Sequence, residues 1–525
     1  MTLPSRRTRV VLLAGVATLA AAAPAAAAPV PTLNGTELTV DYGGADAVTL
    51  ASAGAGMTLN GVAIPGVTQA DLTAIKVIEA AGGGANTIDL SGVLKDANDP
   101  TVPTVSVEAG DGNDTIKGSF YNDVLSGGAG DDRIDGFRGD DTMNGQSGSD
   151  TLVWNNGDGS DVMNAGEGSD TIENNGADAG PAANETYTVE PNGARFEFKR
   201  ISTGPFSLDV GDAEKYVNNM LGGDDTFRTA DPAVAVTGIA VTLNGGAGND
   251  GLIGTNGNDV LNGDAGNDVL VGFRGNDDHN GGDGDDQMVW NNGDGSDTMD
   301  GDAGNDTAVD NGAPAGDHFI VSANGARVTA TRDNLVPFFL DIGSTEALDM
   351  NSLGGDDSVD VGAGLQALIK ADIDLGEGND SIRARNTSSE KIEGGAGTDS
   401  AVVDATDVTT GVETLDAPDT AAPGPDLLTK SATVRRGKVK LRVACPGEVS
   451  CTGTLQIRRG GKVVGKTKLA LAGKTKRYTV KLNRRTRRAL RNDANGRMSV
   501  RVRIKVTDAA GNAATVNEKL TLKRR

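Results

Sequence analysis

Fourteen nonapeptides of the form GGxGxDxUx, with U apolar, fill two blocks of this chain, and each places an aspartate at its sixth position. In the first block the frames begin at Ala109, Gly118, Gly127, Gly136, Gly145, Asn156 and Ala165, which brings Asp114, Asp123, Asp132, Asp141, Asp150, Asp161 and Asp170 into register. In the second they begin at Gly245, Gly254, Gly263, Gly272, Gly281, Asn292 and Gly301, and the aspartates are Asp250, Asp259, Asp268, Asp277, Asp286, Asp297 and Asp306. The GGxGxD part of a unit makes a turn, because glycine reaches positive φ at no steric cost and lets carbonyls converge. The xUx part makes a short strand whose alternating side chains send only the middle one inward. Those inward residues are Ile116, Leu125, Ile134, Met143, Leu152, Met163 and Ile172, then Leu252, Leu261, Leu270, His279, Met288, Met299 and Ala308, twelve of them sizeable and apolar. A thin apolar core between stacked turns describes an all-β fold, a parallel β-roll.

Carboxylates and backbone carbonyls gathered at a turn are the oxygen donors that Ca2+ takes. In period, glycines, aspartates and apolar positions the two blocks, about a quarter of the chain, resemble the RTX, or haemolysin-type, calcium-binding repeat family. The resemblance implies that two nonapeptides make one coil and that ions lie between turns two repeats apart, on alternate edges of the roll. Carried over, it pairs Asp114 with Asp132, Asp123 with Asp141, Asp250 with Asp268 and Asp259 with Asp277. All fourteen aspartates become expected metal ligands, for roughly ten Ca2+ ions in all. A middle aspartate such as Asp268, shared with Asp250 and Asp286, then serves two sites and a terminal one such as Asp250 serves one. Weaker sites are expected where Tyr121, Phe137 and Phe273 replace turn glycines and where His279 occupies an apolar slot.

The two blocks are copies. Gly136-Phe137-Arg138-Gly139 recurs as Gly272-Phe273-Arg274-Gly275 and Val153-Trp154-Asn155-Asn156 as Val289-Trp290-Asn291-Asn292, both offset by 136, and each block carries the same two-residue Trp-Asn insertion. The segments after the blocks also match, as in Leu221-Gly222-Gly223-Asp224-Asp225 and Leu353-Gly354-Gly355-Asp356-Asp357. The implied organisation is a β-rich segment over 29–108, arrays over 109–173 and 245–309, β-rich inter-array segments over 174–244 and 310–375, degenerate repeats over 376–402, a linker over 403–425 and a separate domain over 426–525. In the degenerate run Asp380 and Asp399 keep the register, but the glycines are lost between Arg385 and Glu393, which argues against a calcium site there.

Charge divides the chain. Residues 426–525 carry 28 lysines and arginines against five acids, a net of +23, which leaves −48 on the remainder of a chain whose formal charge is −25. With 75 glycines and 3% aromatics the acidic part cannot build a large conventional core, and without cations it repels itself. The first 28 residues, with Arg6, Arg7 and Arg9 before an apolar run and Ala25 to Ala28 before Pro29, read as a signal peptide cleaved after Ala27; the alternative is a membrane anchor. An export signal places the chain outside the cell, secreted or at the cell surface. After the linker DAPDTAAPGP, alternating strands such as Lys438 to Val443 and Met498 to Ile504 flank a basic helical run, Arg484 to Asn492. The closing Val506-Thr507-Asp508-Ala509-Ala510-Gly511-Asn512 resembles the last hairpin of bacterial immunoglobulin-like domains and implies a small β-sandwich. Cys445 and Cys451, the only cysteines, suit a local disulfide in an exported domain; free thiols or a metal pair are the alternatives.

Two functions of different class fit. One is a secreted, non-catalytic calcium-binding protein whose roll is a structural or adhesive spacer and whose basic sandwich holds an anionic cell wall or extracellular polysaccharide, with nucleic acid bound only as a by-product of charge. The other is an extracellular polysaccharide-active enzyme, a lyase, epimerase or hydrolase, with the repeats as a folding aid. The chain has only two histidines, His279 and His318, and no HExxH or GxSxG; nearly every conspicuous aspartate is explained by the register. This favours the first reading, with His279 a decayed core position. Trp154 and Trp290 either cap the roll or stack on sugars. Calcium is expected to drive folding: far-UV circular dichroism should show β-structure appearing with calcium and collapsing in excess chelator, and β-structure that persists in chelator contradicts this.

Overall fold

The computed structural model describes residues 28–43, 47–79, 83–95, 103–177, 184–202, 204–231, 234–416, 424–445, 450–472, 475–508 and 511–524. The expected signal peptide, but for its last residue, and residues 417–423 of the expected linker lie outside them. The described chain divides into two compact units, residues up to 221 with 229–242, and residues 222–228 with those from 243 onward.

In the first unit successive short strands alternate between two parallel sheets. One sheet runs Glu37–Tyr42, Ala74–Glu79, Thr104–Asp111, Asp123–Ala129, Thr142–Ser147, Val162–Glu167, Phe206–Gly211. The other runs Ala47–Ala53, Thr87–Gly92, Thr115–Lys117, Arg133–Asp135, Thr151–Asn155, Thr171–Asn175, Lys215–Asn219. The register places inward residues directly against one another, Ile116 on Ile134 on Leu152 on Ile172 in one sheet and Val107 on Leu125 on Met143 on Met163 in the other. All are at most 1% exposed. The N-terminal segment supplies the first rungs of this roll, since Leu38, Ile75 and Val105 stand in one column. Both sheets start with antiparallel partners, Val30–Asn34 on one and Gly56–Leu59 with Val62–Thr68 on the other. Such strands interrupt the parallel edge, which would otherwise template pairing with other chains.

The second unit repeats the plan. Leu252, Leu270, Met288 and Ala308 form one inward column and Leu261, His279 and Met299 the other. The segment after the array is an antiparallel excursion spliced into a sheet: Phe338–Gly343 pairs with the preceding rung, then Arg327–Arg332 and His318–Asn324 follow, and parallel stacking resumes at Ser358–Val361. Residues 403–416, assigned to the linker above, carry two more rungs, Val408–Thr410 and Thr414–Asp416, in register with Lys391–Glu393 and Ser400–Val402. Three-residue strands without turn glycines leave little trace in a sequence.

The fourth turn residue shows why glycine is needed. Gly148 and Gly266 have φ of +137° and +143°, and a Cβ on them would lie 1.9 and 1.5 Å from the carbonyl oxygens of Gly130 and Gly248. No side chain fits where turns stack this closely.

Both Trp-Asn insertions build the same buried device. Trp154 stacks on Phe206 at 3.7 Å and Trp290 on Phe338 at 3.8 Å, and both indoles are fully buried. Each indole N–H donates 2.9 Å to a carbonyl of its own loop, Gly159 or Gly295. Beside each stack lies a buried ion pair, Arg200 with Glu185 and Arg332 with Asp317, the latter at 3.1 Å, and the guanidiniums reach back 2.9 Å to Asn156 and Asn292. The tryptophans therefore pack the roll, and their faces are closed to sugars. Asp317→Asn removes the hydrogen-bonded counter-charge of buried Arg332, leaving only the more indirect attraction of buried Asp310, and is expected to cost about 3 kcal/mol, measurable as a lowered denaturation midpoint at fixed calcium. The pair exchange Arg332→Met with Asp317→Leu should cost less.

Residues 426–524 form a sandwich of a three-stranded sheet, Asp426–Leu427, Lys438–Ala444 and Thr475–Lys481, and a five-stranded one, Ser431–Val434, Ala513–Arg524, Arg497–Asp508, Ser450–Arg459 and Lys462–Ala472. Their alternating apolar residues, Val439, Leu441, Leu455, Ile457, Val502 and Ile504 among them, share one core. Cys445 and Cys451 form a disulfide. The basic run is a helix, Arg484–Arg491, capped by the Asn483 side chain accepting from the Thr486 N–H at 2.8 Å. Arg497–Asp508 and Ala513–Arg524 make the closing hairpin, tied by Asn512 N–H to Asp508 Oδ1 at 2.8 Å.

Candidate metal sites

Each repeat begins its strand at the aspartate or one residue after it, so period-two alternation turns that carboxylate inward like the apolar residue two places on. All fourteen aspartates are at most 2% exposed. Within an edge they form a ladder in which one backbone N–H donates to the Oδ1 of the aspartate two repeats on. Asp114 donates to Asp132 at 2.7 Å, Asp132 to Asp150 at 2.8 Å and Asp150 to Asp170 at 2.7 Å. The other edge of the first block runs Asp123 to Asp141 to Asp161 at 2.8 Å each. In the second block Asp250, Asp268, Asp286 and Asp306 follow at 2.7 to 2.9 Å, and Asp259, Asp277 and Asp297 at 2.8 and 3.0 Å. The four pairings expected above are all direct contacts of this kind. Glu214 and Glu346 receive the last N–H groups, of Asp170 and Asp306.

Oδ1 is thereby used and Oδ2 is not. In twelve of the fourteen aspartates Oδ2 is buried and without a hydrogen-bond partner. Position-one glycines face it: a Cβ on Gly127, Gly145, Gly245, Gly263 or Gly281 would lie 2.1 to 2.5 Å from the Oδ2 of Asp132, Asp150, Asp250, Asp268 or Asp286. A Cβ on Gly263 would also meet the Gly281 carbonyl oxygen at 2.5 Å. Glycine thus keeps open a cradle lined by carboxylate and carbonyl oxygens. An anionic, oxygen-only cradle suits a hard divalent cation.

The exceptions are Asp123 and Asp259. Their Oδ2 atoms accept the N–H of Ser119 and Thr255, and the hydroxyls of those residues bond the same carboxylates. The deviant turn at Tyr121 thus alters its own aspartate, through Ser119. Phe137 and Phe273 instead hold φ of +67° and +73°, a strained conformation for a bulky residue, while Asp141 and Asp277 keep an unpaired Oδ2.

The ladder also runs where the sequence was read as joining or decayed. Asp225 N–H donates to Asp250 at 2.7 Å, so Asp250 is not terminal, and the contrast expected between Asp250 and Asp268 disappears. Asp317, Asp357, Asp380 and Asp399 form a further ladder at 2.6 to 2.9 Å, with Oδ2 of the last three unpaired. On this edge the same ladder geometry therefore continues through 376–402. The loss of the glycines shows on the opposite edge, where Asn386 and Glu390 replace the turn and bond each other. The signal that was missed is the surviving Gly-x-Asp of Gly223-Asp224-Asp225 and Gly355-Asp356-Asp357.

Burial without a counter-charge pushes these carboxyls up, Asp141 to about 9, Asp277 to about 8, and Asp132, Asp161, Asp268 and Asp297 to about 7. Among the described residues no helix is long and apolar enough to cross a membrane.

Comparison with known proteins agrees with this geometry. The family described as RTX calcium-binding nonapeptide repeat (4 copies) matches residues 108–136, 117–152, 156–175, 240–261, 253–288 and 293–308. The chain carries RTX calcium-binding repeats. No curated protein matches it. Among solved structures, an engineered protein is 20% identical over 23% of this chain and 22% of its own, with a TM-score of 0.14. The extracellular lipase LipA from Serratia marcescens is 17% identical over 46% of this chain and 40% of its own, with a TM-score of 0.15.

Two outcomes follow from the RTX geometry. Asp132→Asn keeps the Oδ1 acceptor but removes the charge and should raise the calcium midpoint of folding about tenfold, ~1.4 kcal/mol, whereas Asp123→Asn should change it little; equal effects in a calcium titration contradict the role given to Oδ2. The second concerns pH. Carboxyls raised in the fold above their unfolded value near 4 bind protons more tightly when folded, so they stabilise the calcium-free fold at acidic pH and that contribution is lost as pH rises through about 7 to 9. The collapse in chelator expected above therefore belongs to alkaline pH, and in chelator β-structure should grow as pH falls from 9 towards 5; calcium binding near neutrality should release protons, read by calorimetry in buffers of different ionisation enthalpy.

Proposed function

We propose that this is a secreted, non-catalytic calcium-binding protein that folds on calcium and serves as an extracellular structural or adhesive spacer. The observation that carries the reading is the set of twelve buried, unpartnered Oδ2 atoms of the repeat aspartates. Asp114, Asp132, Asp141, Asp150, Asp161, Asp170, Asp250, Asp268, Asp277, Asp286, Asp297 and Asp306 hold the ions with the carbonyls beside them, and Asp123 and Asp259 contribute less. Roughly ten ions bring about twenty positive charges, enough to offset much of the net −48 outside the C-terminal domain. The leader-like first 28 residues and the Cys445–Cys451 disulfide fit export to an oxidising, calcium-rich exterior.

The C-terminal sandwich, read as immunoglobulin-like, is the attachment domain. Arg458, Arg501 and Lys519 lie directly opposite one another across three neighbouring strands, with Arg503 and Lys505 further along the central one. Like charges set directly opposite are destabilising, and an anionic polymer laid across the strands relieves the repulsion. An acidic cell-wall polymer or polysaccharide is the partner such a face fits, held by charge that salt screens within about 10 Å at 0.1 M. The calcium-loaded protein should be retained by teichoic-acid-like or uronic-acid polymers at low salt, released towards half-molar salt, and leave the polymers uncleaved. Retention on a neutral glycan at high salt, or cleavage of any glycan in the panel, overturns this reading in favour of a polysaccharide-active enzyme.

A further inference from the structure

His279 is the one inward residue of the repeats that is both sizeable and polar. In the first block the equivalent position is Met143. The imidazole is 0% exposed, stands between Leu261 and Met299 in its column, and has neither ring nitrogen hydrogen-bonded. A buried histidine ordinarily fixes its tautomer by at least one hydrogen bond, so two bare nitrogens in an otherwise apolar column call for a partner. The groups facing it are the aspartates of its own repeat and of the next rung. One nitrogen of His279, one carboxylate oxygen of Asp277 and one of Asp297 all lie within 4.8 Å of one another, the one such group of three among the described residues. The Oδ2 atoms of both aspartates are themselves buried and unpaired.

We propose that Asp277, His279 and Asp297 form a binding site for a borderline divalent cation of the Zn2+ type, distinct in selectivity from the oxygen-only sites of the same ladder. Imidazole nitrogen is a good ligand for Zn2+ and Co2+ and a poor one for Ca2+. Two carboxylates supply the charge that neutralises the ion, and His nitrogen and carboxylate oxygen are both zinc ligands, so the trio offers three of the four positions of a tetrahedral site. The matching rung of the first block offers Asp141, Met143 and Asp161, which has the two carboxylates without the nitrogen. Two copies of one array thus differ by a single ligand, and that ligand decides the ion. The inference rests on the reading that ladder Oδ2 atoms receive cations.

The test uses the untagged full chain folded in saturating calcium, with Co2+ as a spectroscopic probe and Zn2+ in calorimetry. One equivalent of Co2+ should bind against excess calcium with the visible absorption of a nitrogen-and-oxygen site, and Zn2+ should displace it. His279→Met, which installs the first block's own residue, should abolish that equivalent while leaving calcium-induced circular dichroism unchanged. His318→Gln, at the half-buried histidine 2.6 Å from Asp333, should retain it. X-ray absorption at the zinc edge of the unsubstituted protein gives a reading that depends on no variant: one imidazole in the shell is expected. An all-oxygen shell, no Co2+ bound in excess calcium, or a signal that survives His279→Met overturns the proposal. Loss of calcium-dependent folding itself would instead count against the ladder reading, and is read separately by circular dichroism.

Discussion

The fold depends on carboxylates buried with half of their hydrogen-bonding capacity unspent. Twelve of the fourteen repeat aspartates use Oδ1 to hold the backbone of a neighbouring coil, which fixes the stacking distance of the roll. The same burial leaves Oδ2 facing a cradle that position-one glycines keep empty of side chains. A negative charge so placed is costly, and only a proton or a cation relieves it. Stability and ion binding are therefore one property here. An apolar column one residue wide per strand adds too little to hold the acidic coils together alone.

The duplicated Trp-Asn insertion shows a second way of stabilising a thin roll. It lengthens one turn in each block enough to fold an indole over a phenylalanine and beside a guanidinium that the following hairpin supplies. Among the described residues the two indoles and Arg332 are the largest fully buried side chains, and the indoles sit where the nonapeptide rhythm is broken.

Strict period made the rolls legible: every inward residue named from the frames lies in a buried column, and the paired aspartates touch. What escaped was whatever depends on partners distant in sequence. Arg332 and Asp317 are fifteen residues apart, and although Asp317 holds a place in the ladder, nothing local marks Arg332 as its buried partner. Asp357, with only Gly354 and Gly355 left of its turn, and the strand Val408–Thr410, with only Gly411 after it, kept their places in the stack without the full nonapeptide that advertises a rung. The role of Ser119 and Thr255 was hidden for the opposite reason. They stand in otherwise recognisable turns, and only the three-dimensional geometry shows that their N–H groups spend the oxygen that other repeats keep free, while their hydroxyls take the other one.

A crystal structure of the calcium-loaded protein, with ions located by anomalous scattering, tests the central claim most directly. Ions should lie beside the Oδ2 atoms of Asp132, Asp150, Asp141 and Asp161 in the first block and of Asp268 and Asp286 in the second, with weak or absent density at the Oδ2 of Asp123 and Asp259. Calcium bound only to exposed acids such as Asp131 and Asp140, with the inward Oδ2 atoms left bare, would contradict the account.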